Sequence, residues 1–299
     1  MRGQQALKLA VVAGVDGLHG GVKEIVDAGI ILATIMTDSP AADVSPTLLE
    51  STLRHDRAST LLLLVLLPLV SWMWIVVMAR DMYGPMTGAS AWMMTPRWDL
   101  PHMLLLWAMW AVMMTGMMLP SASPTVLLYG AAVRRSARGS AATRVYALAI
   151  GYLVVWTAFS LGATALQRML GEFLLLSPMM EVTSPRVGAT LLLIAGVYQL
   201  TPIKLACLRA CQSPLGFLMS RWRAGVSGAF RMGLVHGAYC VGCCWALMLL
   251  LFVGGVMNLA VIAALTAFVA FEKLTPLGVN GARVSGWTLL AAGLLMLVR

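Results

Sequence analysis

Charged side chains are scarce in this sequence: Asp, Glu, Lys and Arg make up 11% of its 299 residues, while 60% are hydrophobic. A soluble globular domain carries about 25% charged residues. With a mean hydropathy of +0.85, the composition excludes an ordinary soluble domain and predicts an integral membrane protein surrounded by the lipid bilayer. The formal net charge of +9 does not indicate nucleic-acid binding, because the basic residues lie between apolar runs.

Acidic residues and catalytic motifs are also scarce. After Arg57 the chain contains five acidic residues, namely Asp81, Asp99, Glu172, Glu181 and Glu272. Paired carboxylates for hydrolysis are therefore not expected. The sequence has no phosphate-binding loop, dinucleotide fingerprint, HExxH zinc-protease motif or nucleophile elbow. We predict no catalytic residue, and a non-enzymatic role is preferred although an enzyme is not excluded.

The apolar runs predict an all-α fold, a polytopic transmembrane helix bundle with six or seven spans. These runs cover about residues 61–78, 103–132, 145–166, 187–206, 232–253, 258–271 and 285–298. The last run is short, so six spans remain an alternative to seven. Pro120 and Pro124 in the second run predict a kinked helix, or a helix with a re-entrant segment. Gly233 and Gly237, four apart in the fifth run, predict close approach of a neighbouring helix.

The segment 1–53 differs from the rest of the chain. It has no apolar run long enough to span a membrane and no clear signal-peptide cleavage site. We predict a poorly ordered N-terminal extension for 1–53 and a transmembrane metal-binding domain for 54–299. The extension would be missing from the protein if translation starts at a later codon. Lysine and arginine are more frequent in alternate loops, which places the N-terminus in the cytoplasm.

The densest group of metal-ligand side chains lies in the fifth apolar run. His236, Cys240 and Cys244 are spaced four apart, so they share one face of a helix, with Cys243 beside them. Imidazole and thiolate are zinc ligands, and soft sulfur ligands select Cu(I). We predict a metal site near the cytoplasmic side with Cu(I) as the expected ion and zinc second. Because Cys243 and Cys244 are about 100° apart on a helix, they cannot both point straight at one ion.

Two further sets of sulfur atoms extend this prediction. Cys207 and Cys211 form another four-residue pair at the end of the fourth run. If the fourth and fifth runs are antiparallel neighbours, that pair lies close to the first group. Met113, Met117 and Met118 have helical spacing on the second run and are candidates for relay thioethers, with apolar packing as the alternative explanation.

Other interpretations of the same residues remain open. Cys240-x-x-Cys243 has the spacing of thiol–disulfide enzymes, so a membrane dithiol oxidoreductase is the alternative function. A structural membrane subunit without its own metal is a third. The adjacent Glu272 and Lys273 are interpreted as an ion pair that closes a helix.

At these residues the sequence resembles a bacterial family of unknown function, the domain of unknown function 2182 family. That family is described as predicted metal-binding integral membrane proteins, copper-chaperone-like. The resemblance covers roughly residues 54–299, and the matching segments are 113–120, 204–214, 236–245, 257–259 and 272–273. It implies a multi-pass protein of the bacterial inner membrane that binds metal. Copper handling, delivery or transport is the expected role, with a copper-accepting membrane or periplasmic protein as partner.

Overall fold

A computed structural model describes residues 48–84, 99–136, 141–173, 175–177 and 180–298. Its helices are α1 (Leu48–Met82), α2 (Leu100–Ser136), α3 (Ala141–Glu172), α4 (Pro185–Gln199), α5 (Pro202–Gln212), α6 (Pro214–Arg221), α7 (Gly225–Met248), α8 (Leu250–Gly254), α9 (Leu259–Leu274) and α10 (Gly278–Val298). Within these ranges the only β-type pairing is an isolated bridge between Leu176 and Val182, so the predicted all-α class is confirmed. Most of the predicted extension 1–53 lies outside the described residues, and its boundary stays a prediction.

Five helical segments of the described chain are long and apolar enough to cross a membrane, and six if α4 and α5 together form one bent span. The count of six agrees with the lower predicted number. The run predicted at 258–271 forms α9, which has 16 residues. At about 1.5 Å per residue a helix of that length is shorter than the roughly 30 Å hydrocarbon core.

The first and last candidate spans of the described chain expose apolar side chains. In the segment Gly278–Val298 only 17% of the most apolar window is buried, and in Thr60–Met82 only 28%. Leu69, Met73 and Trp287 are each more than half exposed. Hydrocarbon tails are as apolar as leucine, so these surfaces suit contact with lipid and indicate a membrane protein.

The prolines of α2 do not break the helix. Proline lacks an N–H, so Pro120 cannot bond the carbonyl of Gly116, and Pro124 cannot bond that of Pro120. The indole of Trp72 donates to the carbonyl oxygen of Gly116 at 3.2 Å, and the hydroxyl of Ser123 donates to that of Pro120 at 2.8 Å. Since both carbonyls have substitute donors, α2 continues to Ser136 as one helix. No separate re-entrant segment forms there.

Helix α7 packs closely against α3. A side chain at Gly233 would collide with the carbonyl of Leu148, and one at Gly151 with the carbonyl of Phe230. The expected close approach at Gly233 is therefore confirmed. It brings Tyr152 of α3 beside the cysteine-bearing face of α7.

The fourth predicted span is divided, which corrects the single helix expected over 187–206. Helix α4 ends at Gln199, and α5 turns away from it by 64°. The break has a local cause: Pro202 occupies the first turn of α5, and the hydroxyl of Thr201 accepts from the backbone N–H of Lys204 at 3.2 Å. Such a cap and proline start a new helix. The turn directs α5, with Cys207 and Cys211, against α7.

Candidate metal centre

The thiols of α7 contact sulfur atoms from two other helices. The Sγ atom of Cys243 lies 4.0 Å from that of Cys211 on α5. The Sγ atom of Cys244 lies 3.9 Å from the Sδ atom of Met118 on α2. All four side chains are buried. The angular separation of Cys243 and Cys244 therefore directs them to different partners, in agreement with the helix geometry.

Cys240 lies between these two pairs on the helix surface. Its carbonyl oxygen accepts from the thiols of Cys243 and Cys244 at 3.1 and 3.0 Å. These bonds hold both thiols against the backbone. They are formed in addition to the helical hydrogen bond that the same carbonyl oxygen accepts. We refer to Cys211, Cys240, Cys243, Cys244 and Met118 as the sulfur cluster.

Two residues that the sequence did not single out contact Cys240. The hydroxyl of Tyr152 lies 3.0 Å from its Sγ atom and donates to the carbonyl oxygen of Met118 at 2.9 Å. A phenol has one proton. When Tyr152 donates that proton to the carbonyl oxygen of Met118, the thiol of Cys240 is the donor to the hydroxyl oxygen of Tyr152. Nothing in the sequence separates Tyr152 from an ordinary core tyrosine. Only the α3–α7 packing identifies it.

Lys273 is the other partner of Cys240. Its Nζ atom donates to the Sγ atom of Cys240 at 2.8 Å and to the hydroxyl of Ser121 at 3.2 Å. The side chain is 5% exposed. The interpretation of Glu272 and Lys273 as an ion pair is wrong, since Glu272 pairs instead with Lys204 at 2.6 Å. Adjacent residues on a helix point about 100° apart, which explains the separation.

The structure leaves some predicted ligands outside the sulfur cluster. The ring of His236 is 3% exposed and packs against Tyr152 and Phe217, with centroid distances of 5.7 and 5.0 Å. In the described structure its Nδ1 atom has no hydrogen-bond partner. Cys207 is partly exposed, and its sulfur lies so close to Gly242 that a side chain there would meet it at 2.8 Å.

Of the three predicted methionines, Met118 has a thiol contact. Met113 and Met117 are fully buried in the hydrophobic core, which agrees with the packing explanation and leaves their relay role a prediction. Across the described ranges no group of three or more His, Cys, Asp or Glu residues is arranged to hold a metal ion. The available ligands therefore come as two sulfur pairs rather than as a closed cage.

The distances within the pairs fit a soft metal ion. Two sulfurs bound to one ion at about 2.3 Å each are about 3.8 Å apart in tetrahedral geometry and about 4.6 Å apart in linear geometry. The observed separations of 4.0 Å and 3.9 Å lie within that range. Either pair could bridge one ion with small movements of its side chains.

A partly open cavity of about 440 Å³ lies between α5, α6 and α7. It is lined by Ala210, Ser213, Gly216, Phe217, Ser220, Arg221 and Tyr239. Arg221 donates to the hydroxyl of Tyr239 at its edge. Phe217 forms part of its wall and also packs on His236, so this cavity approaches the cysteine-bearing face of α7.

Long apolar helices around buried thiols define an all-α protein of membrane type with a sulfur-rich centre. A family model described as PpoB2, copper chaperone, matches residues 107–296. This is nearly two thirds of the chain, and the protein belongs to that copper-chaperone family. The copper-chaperone part of the resemblance is thereby confirmed. Comparisons with curated proteins and with solved structures gave no match.

Proposed function

We propose that this protein binds Cu(I) in the sulfur cluster and holds it for delivery to an acceptor protein. Cys211 and Cys243 are the proposed first ligands. The 4.0 Å contact between their sulfur atoms, which joins two helices, is the observation that carries the proposal. The family adds support, because its description is copper chaperone.

Cu(I) fits the ligand set better than zinc. Soft thiolate and thioether ligands select Cu(I), whereas structural zinc sites almost always use four ligands. The described residues offer sulfur pairs and no group of three or more His, Cys, Asp or Glu side chains arranged to hold a metal ion. Zinc therefore stays the second candidate, and His236 and Cys207 stay predicted ligands of a wider site.

The second sulfur pair gives the ion a neighbouring position. Cys244 and Met118 lie 3.9 Å apart, and Cys244 follows Cys243 directly in α7. Exchange of one sulfur ligand at a time would move Cu(I) between the pairs without exposing it to water. Met113 and Met117, on the same helix as Met118, are the proposed relay thioethers beyond them.

The wider setting follows the sequence predictions. We propose a multi-pass protein of the bacterial inner membrane with a cytoplasmic N-terminus, within the domain of unknown function 2182 family. The acceptor would be a membrane or periplasmic copper protein. The apolar helices and the basic residues of alternate loops support this orientation.

Metal content tests the proposal. Wild type and a Cys211→Ser/Cys243→Ser variant would be purified in detergent under reducing, anaerobic conditions, supplied with Cu(I) and analysed by mass spectrometry. We expect about one copper per wild-type chain and loss of most copper in the double variant. Met219→Leu is the control, because Met219 on α6 is an exposed sulfur residue outside the proposed ligands, and we expect this variant to keep its copper.

Two results would contradict the proposal. Full copper content in the double variant would place the ion elsewhere. A wild-type protein that takes up no Cu(I) would remove the copper function and favour the dithiol oxidoreductase alternative at Cys240 and Cys243.

A further inference from the structure

We propose that the ammonium group of Lys273 makes the sulfur cluster select a monovalent ion over a divalent one. This inference rests on the proposed function, because it concerns the same site. Lys273 would act as a positioning residue that supplies charge, without binding the metal itself.

The ammonium group of Lys273 lies against the sulfur cluster. The Nζ atom of Lys273 lies 2.8 Å from the sulfur of Cys240 and 3.9 Å from the sulfur of Met118. Both atoms belong to the sulfur cluster. The ammonium group is thus in direct contact with the cluster, and at 5% exposure its side chain is almost entirely shielded from water.

In the described part of the chain Lys273 has no carboxylate partner. Glu272, the neighbouring acid, is bonded to Lys204 at 2.6 Å and to the amide of Gln199 at 3.0 Å. Among the described residues Lys273 forms no salt bridge, and its third contact is the neutral hydroxyl of Ser121. The Lys204–Glu272 pair is neutral overall. Among the described residues, therefore, no carboxylate offsets the positive charge that Lys273 brings to the cluster.

The net charge of the site with a bound ion depends on the charge of that ion. When two thiols bind Cu(I), two S–H bonds are replaced by two Cu–S bonds, two protons leave, and the complex has a charge of −1. Together with Lys273 the site is then neutral. The same two thiolates with Zn²⁺ give a neutral complex, and Lys273 leaves the site at +1. Burial of an uncompensated charge is unfavourable.

The preference does not depend on how many thiolates bind. Electrostatic energy is proportional to the product of the charges, so at a given position Lys273 repels a divalent ion twice as strongly as a monovalent one. Removing the ammonium charge should therefore improve binding of Zn²⁺ relative to binding of Cu(I), whichever sulfurs are used.

The test compares the Kd of each ion, measured by chelator competition on the full chain in detergent. Lys273→Met removes the charge at similar length, and Lys273→Arg keeps it. Ser121→Asp places a carboxylate beside the lysine, with Ser121→Asn as its neutral control. We expect the Kd ratio of Zn²⁺ to Cu(I) to fall about tenfold in Lys273→Met and in Ser121→Asp. It should remain at the wild-type value in Lys273→Arg and Ser121→Asn.

Two outcomes would overturn the inference. An unchanged ratio in Lys273→Met, or in Ser121→Asp if Lys273→Met does not fold, overturns the inference. So does an equal fall in Ser121→Asn, because packing would then explain the change. Failure of the wild type to bind Cu(I) at all would contradict the proposed function instead, which keeps the two claims separable.

Discussion

Two buried charged groups lie next to each other on α9, and they have opposite surroundings. Glu272 belongs to a closed network: it accepts from Lys204 and Gln199, and Gln199 also donates to Ser285. Lys273 contacts the thiol of Cys240, the thioether of Met118 and the hydroxyl of Ser121, and none of these is a carboxylate. Buried charges are normally paired, so the network around Glu272 is accounted for by a structural role in the fold. Among the described residues no carboxylate pairs with Lys273, which supports the proposed metal–thiolate complex as its partner.

The closed network joins four helices. Its side chains come from α4, α5, α9 and α10, and Gln212 adds a bond to the backbone carbonyl of Glu272 at 2.7 Å. A network of this kind fixes the position of α9, and with it the direction in which Lys273 points. The network around Glu272 and the position of Lys273 at the sulfur cluster are therefore linked through α9.

The largest predicted effect is loss of stability when the closed network is broken. Glu272→Leu leaves the ammonium of Lys204 buried without a partner, and removal of one member of a buried ion pair costs about 3–5 kcal/mol. Thermal unfolding in detergent should show this as a markedly lower Tm. The double variant Lys204→Met/Glu272→Leu, which leaves no unpaired charge, should recover much of the loss.

This prediction would be contradicted if Glu272→Leu unfolded like the wild type. The network would then contribute nothing to the fold, and the contrast between the two charged groups would lose its basis.

A smaller effect is predicted for Tyr152→Phe. The change removes the hydroxyl that contacts Cys240 and Met118, and a buried hydrogen bond contributes about 1 kcal/mol to the free energy of unfolding. We expect a modest decrease in Tm with copper still bound, since no sulfur is lost. Tyr83→Phe is the control, because Tyr83 is half exposed and its change should leave Tm unaltered. Loss of all copper in Tyr152→Phe would instead make Tyr152 part of the metal centre.

Much of the fold was predictable from the sequence because hydropathy determines which segments can be membrane helices. The apolar runs correspond to α1, α2, α3, α4 with α5, α7, α9 and α10. The division between α4 and α5 was missed, although Thr201 followed by Pro202 is a recognisable start of a helix. Hydropathy alone does not detect a bend, since both halves are apolar enough to pass as one span.

The sequence singled out the cysteines of the cluster, but it indicated neither their pairing nor the contacts of Tyr152 and Lys273 with Cys240. Cysteine spacing identified the face of α7, yet the partners of Cys243 and Cys244 depend on the turn of α5 and on the register of α2. Lys273 was predicted to form an ion pair with Glu272 because the two residues are adjacent in sequence. Helix geometry separates adjacent side chains, and the long-range contacts with Cys240 and Lys204 then decide their roles.

X-ray absorption at the copper edge of the Cu(I)-loaded wild-type protein would identify the atoms that bind the ion. We expect a shell of two or three sulfur atoms without nitrogen or oxygen, from Cys211 and Cys243 with a further sulfur of the cluster. A shell dominated by nitrogen or oxygen would contradict this expectation. A single nitrogen among sulfur atoms would identify His236 as a ligand, and the proposed ligand set would then have to include its ring.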